Sequence, residues 1–255
     1  MDFSTVPSLD KRKKADLLVL PFWKGNKGVE EAVPLDGLAP EIKLPVDLHD
    51  FKGKEGEVLF LYPSGFQEKR IALLGLGASK NMTVERLRRA YSSLIKECLC
   101  RKILTLNLSI PEVDGLEKSL VVLGIAEGML LTNYVFENLK GDSIKEEQTS
   151  LIKSVCLAGV SAQALKGVHK AASICEAVYF ARDLINGNAD DVTPQALVEN
   201  ARSLAKRHKN IKTTIFDKKR IVKEKMGLLL AVNRGSVLDP AFIILEYKGD
   251  PKSKD

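Results

Sequence analysis

Short apolar runs closed by proline or glycine alternate with longer stretches of helical spacing, and no other feature of this chain constrains its fold as much. A parallel strand pair needs a crossover of a dozen or more residues, usually a helix. The alternation therefore predicts a layered α/β fold with a largely parallel sheet. Residues 15–22 (Ala-Asp-Leu-Leu-Val-Leu-Pro-Phe) read as a buried strand ended at Pro21. A glycine turn (Gly25, Gly28) and a loop or short helix with Pro34 and Pro40 follow. Residues 56–62, 69–75 and 103–108 read as the next three strands. Thr83 signals a helix start, with Glu85 in its first turn, and that helix runs to about Cys98. Residues 119–134 have helical spacing, with Leu120, Leu123, Leu130 and Leu131 on the pattern. The polar stretch 140–149 reads as a surface connection into a further strand at 151–160.

Residues 161–184 form one long Ala-rich helical pattern, suited to connect two domains. After the loop from Asn186, Thr193 is a good N-cap and Pro194 takes the first position of a helix running to about His208. Residues 211–216 read as a strand, 217–225 as a short helix, 226–232 as a short apolar strand, 233–236 as a turn and 241–247 as the last strand. So few strands bury a sheet face poorly, so this part reads as the opening of a domain. The expected organisation is an N-terminal α/β domain over 1–160, a linker helix over 161–185 and the incomplete start of a second α/β domain over 186–255.

Hydrophobic residues make up 45% of the chain and charged residues 28%, enough apolar surface for a core and too much for disorder. The longest apolar candidate, 120–131, is too short for a membrane span and is broken by Gly124, Glu127 and Gly128. No membrane association is expected. Met1-Asp2-Phe3-Ser4 does not open an export signal, and Cys98, Cys100, Cys156 and Cys175 show no CxxC spacing. They read as reduced thiols of a cytoplasmic protein. The net charge of +6 is concentrated: residues 202–225 hold ten Lys/Arg against Asp217 and Glu224. Such a cluster suits a nucleic-acid backbone, yet only Phe216 is interleaved with it, and a solvated helix face accounts for it as well. Lys11-Arg12-Lys13-Lys14 reads as a polar lead into the first strand.

No catalytic constellation emerges from the residues alone. His49, His169 and His208 stand far apart and outside any metal-ligand spacing. Gly75-Leu76-Gly77 follows a strand, as a phosphate-binding turn does, but Lys80 stands where a third glycine belongs, and a tight structural turn accounts for it. Asp190-Asp191 precede a helix, where acids commonly face its positive end, although loop carboxylates are also metal candidates. Gly235-Ser236 is not a nucleophile elbow, which needs GxSxG, and Cys98-Leu99-Cys100 is a weak signal.

Four places in the second half carry a likeness, and their order and spacing agree over about 70 residues. They are Ala181-Arg182-Asp183-Leu184-Ile185-Asn186 with Thr193-Pro194, Lys225-Met226-Gly227 through Val232, Gly235-Ser236 with Pro240, and Leu245-Glu246-Tyr247. The first half agrees more loosely, at 70–77 and from Ala126-Glu127-Gly128 to Phe136. On these residues the chain resembles the leucyl (cytosol) aminopeptidase family. It departs from the family pattern at Asn188, Asp190 and Asn233.

The resemblance implies a macro-domain-like N-terminal α/β domain, the long linker helix, and the start of an α/β aminopeptidase catalytic domain. It implies a metallo-exopeptidase that releases N-terminal residues, leucine preferred, from peptide substrates by two-metal hydrolysis. Two divalent ions, manganese or zinc, and a homo-hexamer belong to the full-length enzyme. The family's metal ligands lie in Gly-Lys-Gly…Phe-Asp-Ser-Gly-Gly and Asn-Thr-Asp-Ala-Glu-Gly-Arg segments, which do not occur in residues 1–255. No catalytic, metal-ligating or cofactor-binding residue is therefore carried over onto this chain. No metal is expected bound to it, and alone it is expected to be inactive and mostly monomeric. Two alternatives follow from the same likeness: a macro-like module binding nucleic acid or ADP-ribose, and a structural or regulatory partner of full-length subunits.

Overall fold

The computed structural model describes residues 1–255 apart from 27, 34–39, 81, 137–150, 162 and 250–255, with backbone only at 40 and 41. The chain divides into two compact units, Met1–Arg182 and Asp183–Asp255.

The first unit runs β1 (Asp2–Val6), β2 (Leu17–Lys24), β3 (Val29–Glu31), α1 (Pro40–Asp47), β4 (Val58–Leu61), β5 (Ile71–Gly75), α2 (Val84–Cys100), β6 (Thr105–Ser109), α3 (Lys118–Thr132), β7 (Ser154–Ala158) and most of α4 (Leu165–Asn186). The strands form one sheet in the order β1-β7-β6-β2-β5-β4, with β3 paired to β2. Neighbours from β1 to β5 are parallel, while β4 and β3 are antiparallel to their partners. The sheet is thus largely parallel, as the alternation predicts. The residues 140–149, read as a surface connection, lie outside the described residues.

The sequence of β2 explains its central place. Seven of its eight residues, from Leu17 to Trp23, are buried, so both faces are covered. Leu17, Val19 and Trp23 join the core beneath α2, α3 and α4, whereas Leu18, Leu20 and Phe22 join a second core with Ile42 of α1 and Phe51. Pro21 interrupts this central strand without orphaning a partner. On that side β6 pairs only with Leu17–Val19 and β3 only with Phe22–Lys24, so the missing N–H falls in the gap between them. The carbonyl of Pro21 accepts from Ala32 N on the same side.

Two helices cross closely on one face because glycines line their seam. A Cβ at Gly128 of α3 would stand 2.3 Å from the Arg88 carbonyl oxygen of α2, and one at Gly124 would stand 2.8 Å from that of Val84. Thr83 caps α2 by accepting from Arg86 N, as its sequence suggests.

The second unit holds α5 (Pro194–Arg207), β8 (Ile211–Phe216), α6 (Lys218–Lys223), α7 (Gly227–Asn233) and β9 (Phe242–Tyr247). Thr193 caps α5 through Ala196 N, with Pro194 at the first position. Strands β8 and β9 form a two-stranded antiparallel sheet, Ile211 opposite Tyr247 and Phe216 opposite Phe242. Two sequence expectations need correction. Residues 226–232 do not form a strand: Gly227–Asn233 is helix α7. A short apolar run has no periodicity that separates strand from helix. The N-terminus, not read as structured, supplies strand β1, which extends the sheet beside β7.

Candidate functional site

In the first unit a cleft of about 540 Å³ opens where β1, β6 and β7 end, lined among others by Leu9, Arg12, Leu20, Phe66, Ser109 and Lys118. Its floor is apolar and its two cations are tied down. Arg12 donates from Nε and Nη2 to the two carboxylate oxygens of Glu68, at 2.9 and 3.0 Å. Asn107 Nδ2 donates 2.7 Å to the same carboxylate and 2.7 Å to the Lys13 carbonyl. Burial would push the fully buried Glu68 up, but the hydrogen bonds from Arg12 and Asn107 and the Arg12 charge outweigh it and hold its pKa below the ordinary 4.5. Lys118 Nζ donates to the Ile110 carbonyl at 3.3 Å, and burial lowers its pKa against the opposing Glu112 charge. The cleft offers apolar surface and two engaged cations, and among the described residues no hydrogen bond holds a nucleophile against a base there.

Sequence reasoning passed over this cluster. Arg12 sits in the run read as a polar lead, and its partner Glu68 is 56 positions away. No local pattern joins them.

The Gly75-Leu76-Gly77 turn is structural. Leu76 N donates to the Phe22 carbonyl and Gly77 N to that of Gly53, so these N–H groups are engaged within the protein. A Cβ at Gly75 would stand 2.1 Å from the Lys54 carbonyl oxygen, and Gly77 has φ +78°, so close approach and turn geometry account for both glycines.

In the second unit the Asn186–Pro194 loop is organised by main-chain amides rather than by its acids. Asn188 Oδ1 accepts from Asp190 N and Asp191 N, both at 2.9 Å, and the two aspartates are exposed. Ser236 closes the following turn, donating N–H to the Asn233 carbonyl and accepting from Leu238 N at Oγ. The basic stretch is partly neutralised: Arg202 pairs with Glu199, Lys212 with Glu246, Lys218 with Asp239 and Arg220 with Glu224. Phe216 packs under the Arg220 guanidinium at 3.8 Å and against Phe242, so it is not a free stacking platform.

His49, His169 and His208 are all exposed: His49 lies in the turn after α1, His169 on α4 and His208 just past the end of α5. Cys98 is buried and Cys100 exposed on the last turn of α2. Among the described residues no group of three or more His, Cys, Asp or Glu side chains could hold a metal ion. They therefore do not fit a two-metal centre, and no chemical step on this chain runs through one.

The architecture and the residues can be set beside known proteins. Residues 19–143 match the N-terminal domain of the cytosol aminopeptidase family, and residues 179–255 match the catalytic domain of the same family. A probable cytosol aminopeptidase of Protochlamydia amoebophila is 49% identical over the whole of this chain, which covers 51% of that relative. One from Chlamydia abortus is 38% identical over 99% of the chain and 51% of its own length. The chain thus spans about half the length of the curated relatives it matches. Among solved structures, a mutant tomato leucine aminopeptidase superposes over 99% of this chain and 52% of its own, with TM-score 0.79 and 22% identity. The bottromycin maturation enzyme BotP in complex with Mn superposes over 92% of this chain and 45% of its own, with TM-score 0.70 and 21% identity. Two successive domain models of one family, in order along the chain, together with relatives identical at up to half of all positions, lead to one assignment: this chain belongs to the cytosol aminopeptidase family.

Proposed function

We propose that this chain serves in a metal-dependent aminopeptidase that releases N-terminal amino acids, leucine preferred, from peptides in the cytoplasm. The observation that carries the reading is the match of residues 179–255 to the family's catalytic domain. The names of the relatives, cytosol aminopeptidases, support the activity and the compartment. That no described helix is long and apolar enough to cross a membrane agrees with the compartment. A structural neighbour holds Mn, which supports a manganese- or zinc-type enzyme.

Residues 1–255 provide the framework of this activity and not its metal chemistry. Two-metal hydrolysis needs ligands that hold both ions against the attacking water and the scissile carbonyl. The described residues offer no such set. The whole enzyme is a homo-hexamer in this reading. The test is release of leucine from leucyl amide with Mn²⁺ or Zn²⁺ supplied. Residues 1–255 alone should show no release above the metal blank, and metal-dependent release by the pure chain would overturn the reading.

A further inference from the structure

The cleft of the first unit lies where an open parallel sheet favours a ligand. It opens at the carboxyl ends of β1, β6 and β7, beside Leu18 and Leu20 of β2. Between β2 and β6 the winding of the sheet reverses: the chain reaches β5 from β2 on one side and β7 from β6 on the other. Helix α1 of the first connection and α3 of the second pack on opposite faces of the sheet. Connections that diverge in this way leave a crevice at the strand ends, and ligands of α/β sheets settle in it. Every described wall residue of this crevice belongs to the first unit. Its volume of about 540 Å³ falls in the range of small-molecule sites.

The polar groups left over around the cleft define what it can take. Lys118 Nζ carries three N–H donors, and its bonds to the Ile110 and Pro111 carbonyls, at 3.3 and 3.5 Å, use two of them. Asp10, Ser109 and Glu112 also line the cleft. Among the described residues their side chains make no hydrogen bond and no salt bridge. A phosphate-rich ligand does not suit this set, because such ligands draw on free arginines and free main-chain amides. Arg12 is held by Glu68, and the amides at the strand ends are used: Ile110 N donates to the Ala158 carbonyl and Gly159 N to that of Val6. Two exposed carboxylates and one ammonium over an apolar floor complement a ligand with one cation, one anion and an apolar body.

We infer that this cleft binds an apolar α-amino acid or short apolar peptide, its carboxylate on Lys118, its ammonium on Asp10 and Glu112, and its apolar side chain on the floor of Leu9, Leu20 and Phe66. Charge-assisted bonds at both ends and apolar contact between them give every part of such a ligand a partner. The inference rests on these groups and not on the proposed activity, although the class coincides with the amino acids such an activity releases.

The test follows the amide spectrum of isotope-labelled residues 1–255 during titration with L-leucine and with leucyl-leucine, no metal being added. The expected result is saturable shifts at Ser109, Glu112 and Gly159, with a dissociation constant of about 1 mM or tighter for at least one probe. The tighter of the two probes sets the length of the ligand. Isocaproate, which lacks the ammonium, and isoamylamine, which lacks the carboxylate, should each bind about tenfold more weakly or worse. Lys118→Met should weaken binding by about tenfold. Asp10→Asn with Glu112→Gln, both at exposed positions, should do the same and serves if Lys118→Met fails to fold. Absence of saturable shifts, affinity that these variants leave unchanged, or isocaproate or isoamylamine binding as tightly as leucine would each overturn the inference. Tighter binding of ADP-ribose than of either probe would overturn it too and make the cleft a phosphate site. Hydrolysis of leucyl amide is a separate reading, so an inactive protein counts against the proposed function and leaves the cleft's ligand standing.

Discussion

Arg12 grips Glu68 through two hydrogen bonds, one to each carboxylate oxygen, and Glu68 has no contact with solvent. The pair fastens the segment before β2 to the segment before β5. Through Asn107 it also reaches β6. Breaking a buried pair from one side strands the other charge, so Arg12→Met should cost about 3 kcal/mol or more in urea unfolding. The double variant Arg12→Met with Glu68→Leu should recover most of that loss, because no charge is left buried. A double variant as unstable as the single one would show that the pair acts through something other than its charge.

The same carboxylate makes stability depend on acid. Its folded pKa lies below the ordinary 4.5, so the folded protein takes up this proton less readily than the unfolded chain. The stabilisation is therefore whole above 4.5 and is lost as pH falls through 4.5 toward the lower folded value. The unfolding free-energy difference between wild type and Glu68→Gln should shrink between about pH 6 and about pH 3. A constant difference over that range would contradict the assignment.

Gly128 sets how closely α3 approaches α2. Its hypothetical Cβ meets the Arg88 carbonyl oxygen at 2.3 Å, and that neighbour is main chain, which cannot swing aside. Gly128→Ala should therefore destabilise by roughly 1–3 kcal/mol, read as a lowered melting temperature. Gly227→Ala is the control, since nothing lies within 4 Å of its Cβ and its φ is not in the left-handed region. It should be neutral or slightly stabilising.

These relationships differ in how legible they are from sequence. Thr83 and Thr193-Pro194 announce α2 and α5 because a cap is a local bond, three residues long. Strand β8 appears at the positions its β-branched run predicts. The run 226–232 misleads, because six apolar residues beside a glycine fit a strand or a helix equally. Strand β1 is short and partly exposed, and only its pairing with β7, some 150 positions away, defines it. The Arg12–Glu68 pair is invisible for the same reason: its partners meet only once the sheet has assembled. The likeness around Asn186–Pro194 and Leu245–Tyr247 points to the family, yet the loop acids Asp190 and Asp191 turn out to be exposed while Asn188 does the organising.

The cysteines should separate by accessibility. Burial pushes the Cys98 thiol up to about 12 and the Cys175 thiol up to about 11, so neither forms appreciable thiolate near neutral pH in the folded state. Cys100, one turn-end away from Cys98, is exposed. Iodoacetamide on the native protein should alkylate Cys100 first, with Cys98 and Cys175 reacting only under denaturant. Peptide mass spectrometry reads the order directly. Rapid native labelling of Cys98 would mean that α2 opens locally at its C-terminal end.

Metal should leave residues 1–255 unmoved. The acids that invite a metal reading, Asp190 and Asp191, sit in a turn closed by the Asn188 side chain, and the described residues provide no third ligand beside them. A resident ion that bound only the folded state would raise its stability by mass action, by about 2.7 kcal/mol at a hundred times its dissociation constant. Added Mn²⁺ or Zn²⁺, or removal of metal with EDTA, should therefore shift the melting temperature by no more than the scatter of repeats. Asp190→Asn should be equally silent. Asn188→Ala, which strips the acceptor from two amides at the entry to α5, should destabilise the second unit by about 1 kcal/mol. A metal-dependent rise in melting temperature that Asp190→Asn abolished would restore the loop acids as ligands, and with them a metal role for residues 1–255.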